Sequence, residues 1–358
     1  MPKKVSARIQ DHFARLTDPR RRKVIYPLIN IVTIAICAVI CGADDFVAIA
    51  DYGRKKRKWL SQFLDLSSGI PSHDRFNAIL GAIKPAEFEA CLLSWITDLH
   101  EITAGQVVAI DGKTLRRSFD TATSKSAIHM VSAWATANQI SLGQVIVDEK
   151  SNEITAIPQL LKILEISGCL VTIDAMGCQT KIAQEILDAG ADYVLAVKDN
   201  QPTLYEGISW FFLKQRELGF ARIEVSHYQT KNKGHGRVEI RTYYVCDVPR
   251  DLPDRDRWPG LKTIGWVISD TIREDKRCYE MRYYILSKKL SARRFAVAVR
   301  SHWSIENQLH WQLDVTFQED QSRVRLGHAD ANFSILRRTA LSLLKNNHTL
   351  KVGVKNRR

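Results

Sequence analysis

The sequence predicts an α/β fold that is preceded by an all-α N-terminal domain and carries a β-rich insertion. Three observations lead there. Residues 1–104 place their apolar side chains at helical spacing, residues from Gly105 onward switch to short runs with period two, and residues 220–287 are strand-like until helical character returns at Ser291.

The first segment opens with an apolar helix within Val24–Gly42, followed by a basic helix around Tyr52–Leu64. Ser72 is placed to cap a helix from about Asp74, and Pro85 opens another through Phe88, Leu92, Trp95 and Ile96. QVVAID (106–111), HMVSAWATAN (129–138) and SLGQVIVDE (141–149) read as three consecutive strands. A helix over 154–166, strand CLVTID (169–174), helix 180–189 stopped by Gly190, strand DYVLAVK (192–198) and helix 202–218 follow. Three strands, a helix, a strand, a helix and a strand is the order of a ribonuclease-H-like core. The expected boundaries are 1–104 for the helical domain, 105–219 for the first part of the core, 220–290 for the insertion, 291–350 for its helical completion and 351–358 for a frayed basic tail.

The composition, with 45% hydrophobic and 25% charged residues among 358, is that of a globular chain and excludes wholesale disorder. The 52 Lys and Arg against 39 Asp and Glu leave a net charge of +13, which points to a polyanionic partner. The surplus sits at the two ends, +8 in residues 1–60 and +5 in residues 300–358, while 61–299 balances. Runs such as Arg20–Lys23 and Arg54–Lys58 suit phosphate-backbone contacts better than solvated charge alone. Seven scattered cysteines without a Cys-x-x-Cys pair argue against a disulfide framework and a structural zinc site. The Val24–Ala43 stretch contains Pro27, Asn30 and Thr33, so it reads as a buried helix of a cytoplasmic protein with no membrane partner.

Asp111 and Asp174 each close an apolar strand. A lone carboxylate there is commonly a turn or a cap, but two in one sheet are costly to bury unless cations or donors meet them. Converging, they form a hard-metal site suited to Mg²⁺ or Mn²⁺ and hence to phosphoryl transfer. A third acid is expected from a helix packed beside the strands, and Glu306 stands next to the apolar positions Ile305, Leu309 and Leu313. In an α-helix, His302, Glu306 and His310 share one stripe, which also admits a zinc site but leaves both strand aspartates unexplained.

DGKTLRRS (111–118), HMVSAW (129–134), TIDAMGCQ (172–179), VKDNQP (197–202), HGRVEIR (235–241) and HWSIENQLHWQLDVTFQED (302–320) together resemble the H-repeat-associated insertion-sequence transposases of the DDE class, over nearly the whole chain. The resemblance implies a catalytic and metal-binding triad of Asp111, Asp174 and Glu306, with Mg²⁺ as cofactor and Mn²⁺ as its substitute. It implies an endonuclease and strand-transfer activity on double-stranded DNA, at element ends and target, by a homodimer in the synaptic complex. Such a protein would be nucleoid-associated in the cytoplasm. Related cut-and-paste families carry Tyr, Arg and Lys where this chain has Val299, His302 and Leu313. Arg300, His302 and His310 therefore become candidate phosphate contacts, as do Lys113, Arg116, Arg117 and Lys198 beside the acids and Arg237 and Arg241 as a clamp in the insertion. Trp303 and Trp311 are expected to pack, with base stacking as the alternative. Two competing readings are a catalytically inactive DNA-binding remnant of an insertion element and a metal-dependent nuclease without strand transfer.

Overall fold

The structure, a computed structural model, describes residues 8–21, 24–99, 105–115, 118, 126–147, 152–234, 236–273 and 276–358. The chain is mixed α/β and gathers into two compact units, each discontinuous in sequence. Met1–Ile102, Gly112–Ser151 and Glu306–Arg358 make the first, and Thr103–Asp111 with Asn152–Ile305 the second.

In the first unit, α1 (Ile9–Phe13), α2 (Leu28–Ile40), α3 (Phe46–Lys55), α4 (Arg57–Leu60), α5 (His73–Ala82) and α6 (Pro85–Leu99) precede the strands. The Asp45 carboxylate accepts from the backbone N–H of Ala48 to start α3, and the Ser72 hydroxyl accepts from that of Arg75 to start α5. The basic helix expected over Tyr52–Leu64 is broken at Lys56 into α3 and α4. The apolar α2 is buried along most of its length, and no described helix is long and apolar enough to cross a membrane. β1 (Val107–Thr114) brings the chain from the second unit into the first, where β2 (His129–Ala135) and β3 (Ile140–Val147) pair antiparallel.

The helical completion expected from Ser291 is segmented: α10 (Ala292–His302) lies in the second unit. The first unit then holds a π-helical turn (Glu306–His310), α11 (Trp311–Val315) and α12 (Ala329–Asn346). α12 contacts α2, α5, α6 and β3, and is buried on every side. Asn332 uses its side-chain amide to satisfy the carbonyls of Leu80 and Ile83 at the end of α5, at 2.7 and 2.9 Å. The approach is so close that a Cβ on Gly327 would lie 2.4 Å from the carbonyl oxygen of Gly81, and Gly327 has φ +54°.

The C-terminal tail is not frayed. α13 (Val354–Arg357) forms, and the Arg358 guanidinium donates to the carbonyls of Val39, Ala43 and Thr316, pairs with Asp44 and lies 4.2 Å over the Phe317 ring. Its charge is sequestered rather than offered to solvent. The same holds for Arg337, Arg338 and Lys345, all buried on α12, so part of the C-terminal positive charge is interior.

The second unit is built on strands in the order β1-β4-β5-β9-β8-β7-β6. β4 (Leu170–Ile173) and β5 (Asp192–Val197) run parallel to β1, separated by α8 (Thr180–Asp188), with α7 (Glu153–Ile163) before β4. After α9 (Pro202–Glu217), the segment expected as an insertion forms β6 (Val225–Gly234), β7 (Arg237–Asp247), β8 (Thr263–Arg273) and β9 (Lys276–Leu286). It continues the core sheet, because β9 pairs antiparallel with β5, Val194 facing Leu286. Phe295 of α10 is fully buried against this sheet with Tyr243, Tyr284 and Val267, and on the other side Trp266 stacks between Tyr244 and Tyr283 across neighbouring strands.

Candidate active site

Apolar runs QVVAI and CLVTI suit strands buried on both faces, and they form parallel neighbours with Ile110 paired to Ile173. The next residue in each, Asp111 within β1 and Asp174 just past β4, is half-buried where the parallel pairing of the two strands ends. Asp174 Oδ1 accepts from the backbone N–H groups of Met176 and Gly177, at 3.1 and 3.3 Å, which folds the following loop back on the carboxylate. Gly177 permits the fold, since a Cβ there would lie 2.3 Å from Ile173 Cγ2. The loop after β5 is tied to it: Asn200 Nδ2 donates to Ala175 O at 2.6 Å and Gln201 Nε2 to Cys178 O at 3.0 Å. Lys198, at the head of that loop, is exposed.

α10, capped by Ser291, packs on β4, β6 and β7. At its last residue, His302 Nδ1 lies 3.2 Å from Thr172 Oγ1 on β4. Burial pushes this imidazole below its usual range, against the pull of the Asp174 charge and the Thr172 bond, and the Arg282 charge adds to the lowering. His302 is thus a neutral partner of β4 rather than a cationic phosphate ligand. Arg282 was not singled out from sequence: it pairs with Glu280 on β9 and lies 4.5 Å over the Trp303 ring. Only the fold brings a β9 side chain to the end of α10. Arg300 is exposed, and Trp303 is 38% exposed, so it is only partly a packing residue.

In the first unit, Glu306 is exposed on the π-helical turn, while Ile305, Leu309 and Leu313 are fully buried as expected. Because α10 ends at His302 and the turn is wider than α-helical, the single stripe expected of His302, Glu306 and His310 does not form. Lys113 is a correction. Its ammonium is buried and donates to Asp314 and, at 2.8 Å, to Glu319, so it has no free face for phosphate. His310 belongs to the same interior: burial and the charges of Arg338 and Lys113 push its pKa down to about 3. Trp311 is 53% exposed, so it too is only partly a packing residue.

Arg116 and Arg117 lie outside the described residues. Arg237 is exposed at the β6–β7 end, whereas Arg241 is committed to an ion pair with Glu239 two residues away on β7. The basic run keeps its surface: Arg54, Lys55, Arg57 and Lys58 line an open concavity of about 790 Å³ with Ser61 and Ser67.

Hard oxygen donors characterise the strand ends. The neighbouring Cys178 thiol is held protonated by burial, with the Asp174 charge adding to the effect, so no soft ligand competes. Two carboxylates fit Mg²⁺, which commonly takes one or two from the protein and completes its shell with water and substrate phosphates. Among the described residues no three His, Cys, Asp or Glu side chains form a metal cluster.

A family model described as Transposase DDE domain matches residues 103–343, and one described as DDE_Tnp_1-associated matches 10–96. "H repeat-associated putative transposase YhhI" of Escherichia coli (strain K12) is 42% identical over 354 residues, covering 97% of this chain and 93% of that protein. "Putative transposase YncI" of Escherichia coli O157:H7 is 42% identical over 97% of this chain and 90% of that one. "Inactive transposase YbfQ" of E. coli K12 is 37% identical over 68 residues, 19% of this chain and 81% of that protein. A solved piggyBac transposase synaptic complex with hairpin DNA aligns at a TM-score of 0.41 and 10% identity, over 98% of this chain and 75% of that one.

Proposed function

Because the chain belongs to the family of transposases with the DDE domain, we propose that it cleaves DNA strands at the ends of an insertion element and transfers them into target DNA. The observation that supports this reading is that Asp111 and Asp174 are the residues next after the paired Ile110 and Ile173 of two parallel strands. Glu306 is taken as the third acid on the resemblance of HWSIENQLHWQLDVTFQED (302–320) to the family. The sequential order of β1, β2, β3, α7, β4, α8 and β5 supports a ribonuclease-H-like core for these acids, and the exposed cations of α3 and α4 support DNA binding by residues 1–104.

Asp111, Asp174 and Glu306 would hold Mg²⁺, with Mn²⁺ as substitute, and such ions stabilise the charge on attacking and leaving oxygens of an in-line displacement. Asp174 keeps one oxygen occupied by the N–H groups of Met176 and Gly177, which fixes the direction its carboxylate faces. His302 braces β4 behind it through Thr172. Lys198 and Arg300 are exposed cations available to the DNA backbone. Strand transfer to two ends implies a homodimer on DNA, in the cytoplasm and associated with the nucleoid.

Labelled element-end duplex incubated with the protein, Mg²⁺ and a plasmid tests the reading. Joined product is expected, and Asp111→Asn should lower cleavage by at least about 10²-fold. Nicks without joining would leave a nuclease, bound DNA without nicks an inactive remnant, and undiminished cleavage by Asp111→Asn would remove the triad.

A further inference from the structure

The first turns of α3 and α5, together with the segment 318–325, line an open cavity of about 480 Å³ in the first unit. Its walls are fixed. At one end of the segment the buried Glu319 is bonded to Lys113 and to the Ser334 hydroxyl, and just past the other end the His328 N–H donates to the Gly81 carbonyl at 2.9 Å. Phe46 is held by the Phe333 ring, edge to face at 5.4 Å. Gln318 has φ +50°, a left-handed backbone that a residue with a side chain adopts at a cost and that gathers at ligand sites.

The lining decides what can enter. Asn77 Oδ1 is buried, and among the described residues no donor meets it. An acceptor shut off from water is costly without a donor, and an occupant that brings an N–H removes that cost. Phe46, Val47 and Val324 supply apolar wall, with Val47 57% exposed. Gln321 adds an exposed amide, and Asn and Gln amides pair with the edges of bases. Both lining acids are engaged: Asp44 pairs with Arg358, and Asp45 Oδ1 accepts from the Ala48 N–H to cap α3. Neither is a free cation site. Arg323 is exposed on the segment and offers its guanidinium to an anion from the solvent side. A flat neutral group with N–H donors, joined to an anion outside, has the chemistry of a nucleobase and its phosphate.

The same helix leads to more cations. α3 starts at the cavity with Phe46 and ends with Arg54 and Lys55 on the basic concavity. Phe46 and Lys55 are roughly 14 Å apart at the rise of an α-helix, about four phosphate steps along one DNA strand. Resting on the DNA-binding reading above, we propose that this cavity takes one unpaired nucleobase of a DNA strand whose phosphates continue along α3 to Arg54–Lys58. Asn77 accepts from the base, Phe46 and Val47 cover its apolar surface, and Arg323 pairs with its phosphate.

Three duplexes bound to the full chain test the pocket: one with a single-adenine bulge, the same duplex with an abasic residue at the bulge, and the fully paired duplex. The adenine bulge should be bound about tenfold more tightly than the abasic one. Asn77→Leu should erase that preference while leaving the salt dependence of binding unchanged and the melting temperature undiminished, because leucine leaves no acceptor without a donor. Val47→Glu puts a carboxylate in the first turn of α3, where the helix favours it, so it carries the test if Asn77→Leu does not fold. It too should erase the preference. Arg323→Gln should weaken both bulged probes alike and flatten the log–log salt slope by about 0.9. Equal binding of the adenine and abasic bulges by the wild type would overturn the pocket and leave the DNA-binding reading in place, as would a preference that survives both Asn77→Leu and Val47→Glu. Binding of none of the three duplexes would remove the DNA-binding reading and the pocket with it.

Discussion

Asn200 and Ala175 join two loops at the carboxyl edge of the parallel strands: the side-chain amide of Asn200 donates to the carbonyl of Ala175 at 2.6 Å, one residue past Asp174. The bond leaves the loop after β4 little freedom to carry its carboxylate away from Asp111. Asn200→Ala should therefore cost only about 1 kcal/mol of stability, seen in urea unfolding, yet reduce strand cleavage about tenfold or more. Cleavage equal to the wild type would show that the Asp174 loop holds its position without this tether.

Arg57 and Lys58 are exposed and share a concavity with Arg54 and Lys55. Each phosphate contact contributes about 0.9 to the slope of log affinity against log salt. Arg57→Gln with Lys58→Gln should flatten that slope by up to about 2 and leave the melting temperature unchanged. A gel-shift series over salt measures it, and an unaltered slope would move the DNA surface elsewhere.

Glu89 accepts from the backbone N–H of Gln144 at 2.7 Å beside a small cavity lined by Leu92, Ile96 and Arg338. Burial raises its pKa to about 8, although the Gln144 bond and the Arg338 charge both oppose the rise. The folded state thus keeps a proton that the unfolded chain releases near 4.5. Stability from this group is fully present below pH 4.5, declines as pH rises toward 8 and is flat above it. Glu89→Gln should remove that decline, giving a variant more stable than the wild type at pH 8 by on the order of 1–2 kcal/mol. Denaturant titrations at pH 5 and pH 8 compare the two, and parallel profiles would contradict it.

Arg358 is bonded to three carbonyls and to Asp44, with its side chain 6% exposed. Arg358→Ala leaves those acceptors without their donor and should cost about 3 kcal/mol. Thermal unfolding of this variant would show no loss if the C-terminal residues were as loose as a tail of glycine, lysine and arginine suggests.

The readable features were those decided by neighbours in sequence. The run CLVTI became β4, Ser72 capped its helix, and Ile305, Leu309 and Leu313 were buried, because hydrophobic period and capping act over a few residues. The two aspartates were legible for the same reason, each being the first polar residue after an apolar strand. Less legible were the breaks: Lys56 divides a helix that propensity alone would continue, and the π-helical turn at Glu306 arises where α10 has ended and three apolar side chains still seek the core.

Sequence by itself determined the alternation of strands and helices, the two strand-end acids, the motifs that match the transposase family and a net charge of +13. Tertiary structure decided what each charge does. Arg337, Arg338 and Arg358 belong to the same basic surplus as Arg57 and Lys58, but these three, like Lys113, are enclosed by carboxylates, carbonyls and rings, whereas Arg57 and Lys58 face solvent. A cation's work depends on whether water or a buried partner solvates it, and residues far apart in sequence supply those partners only once the chain has folded.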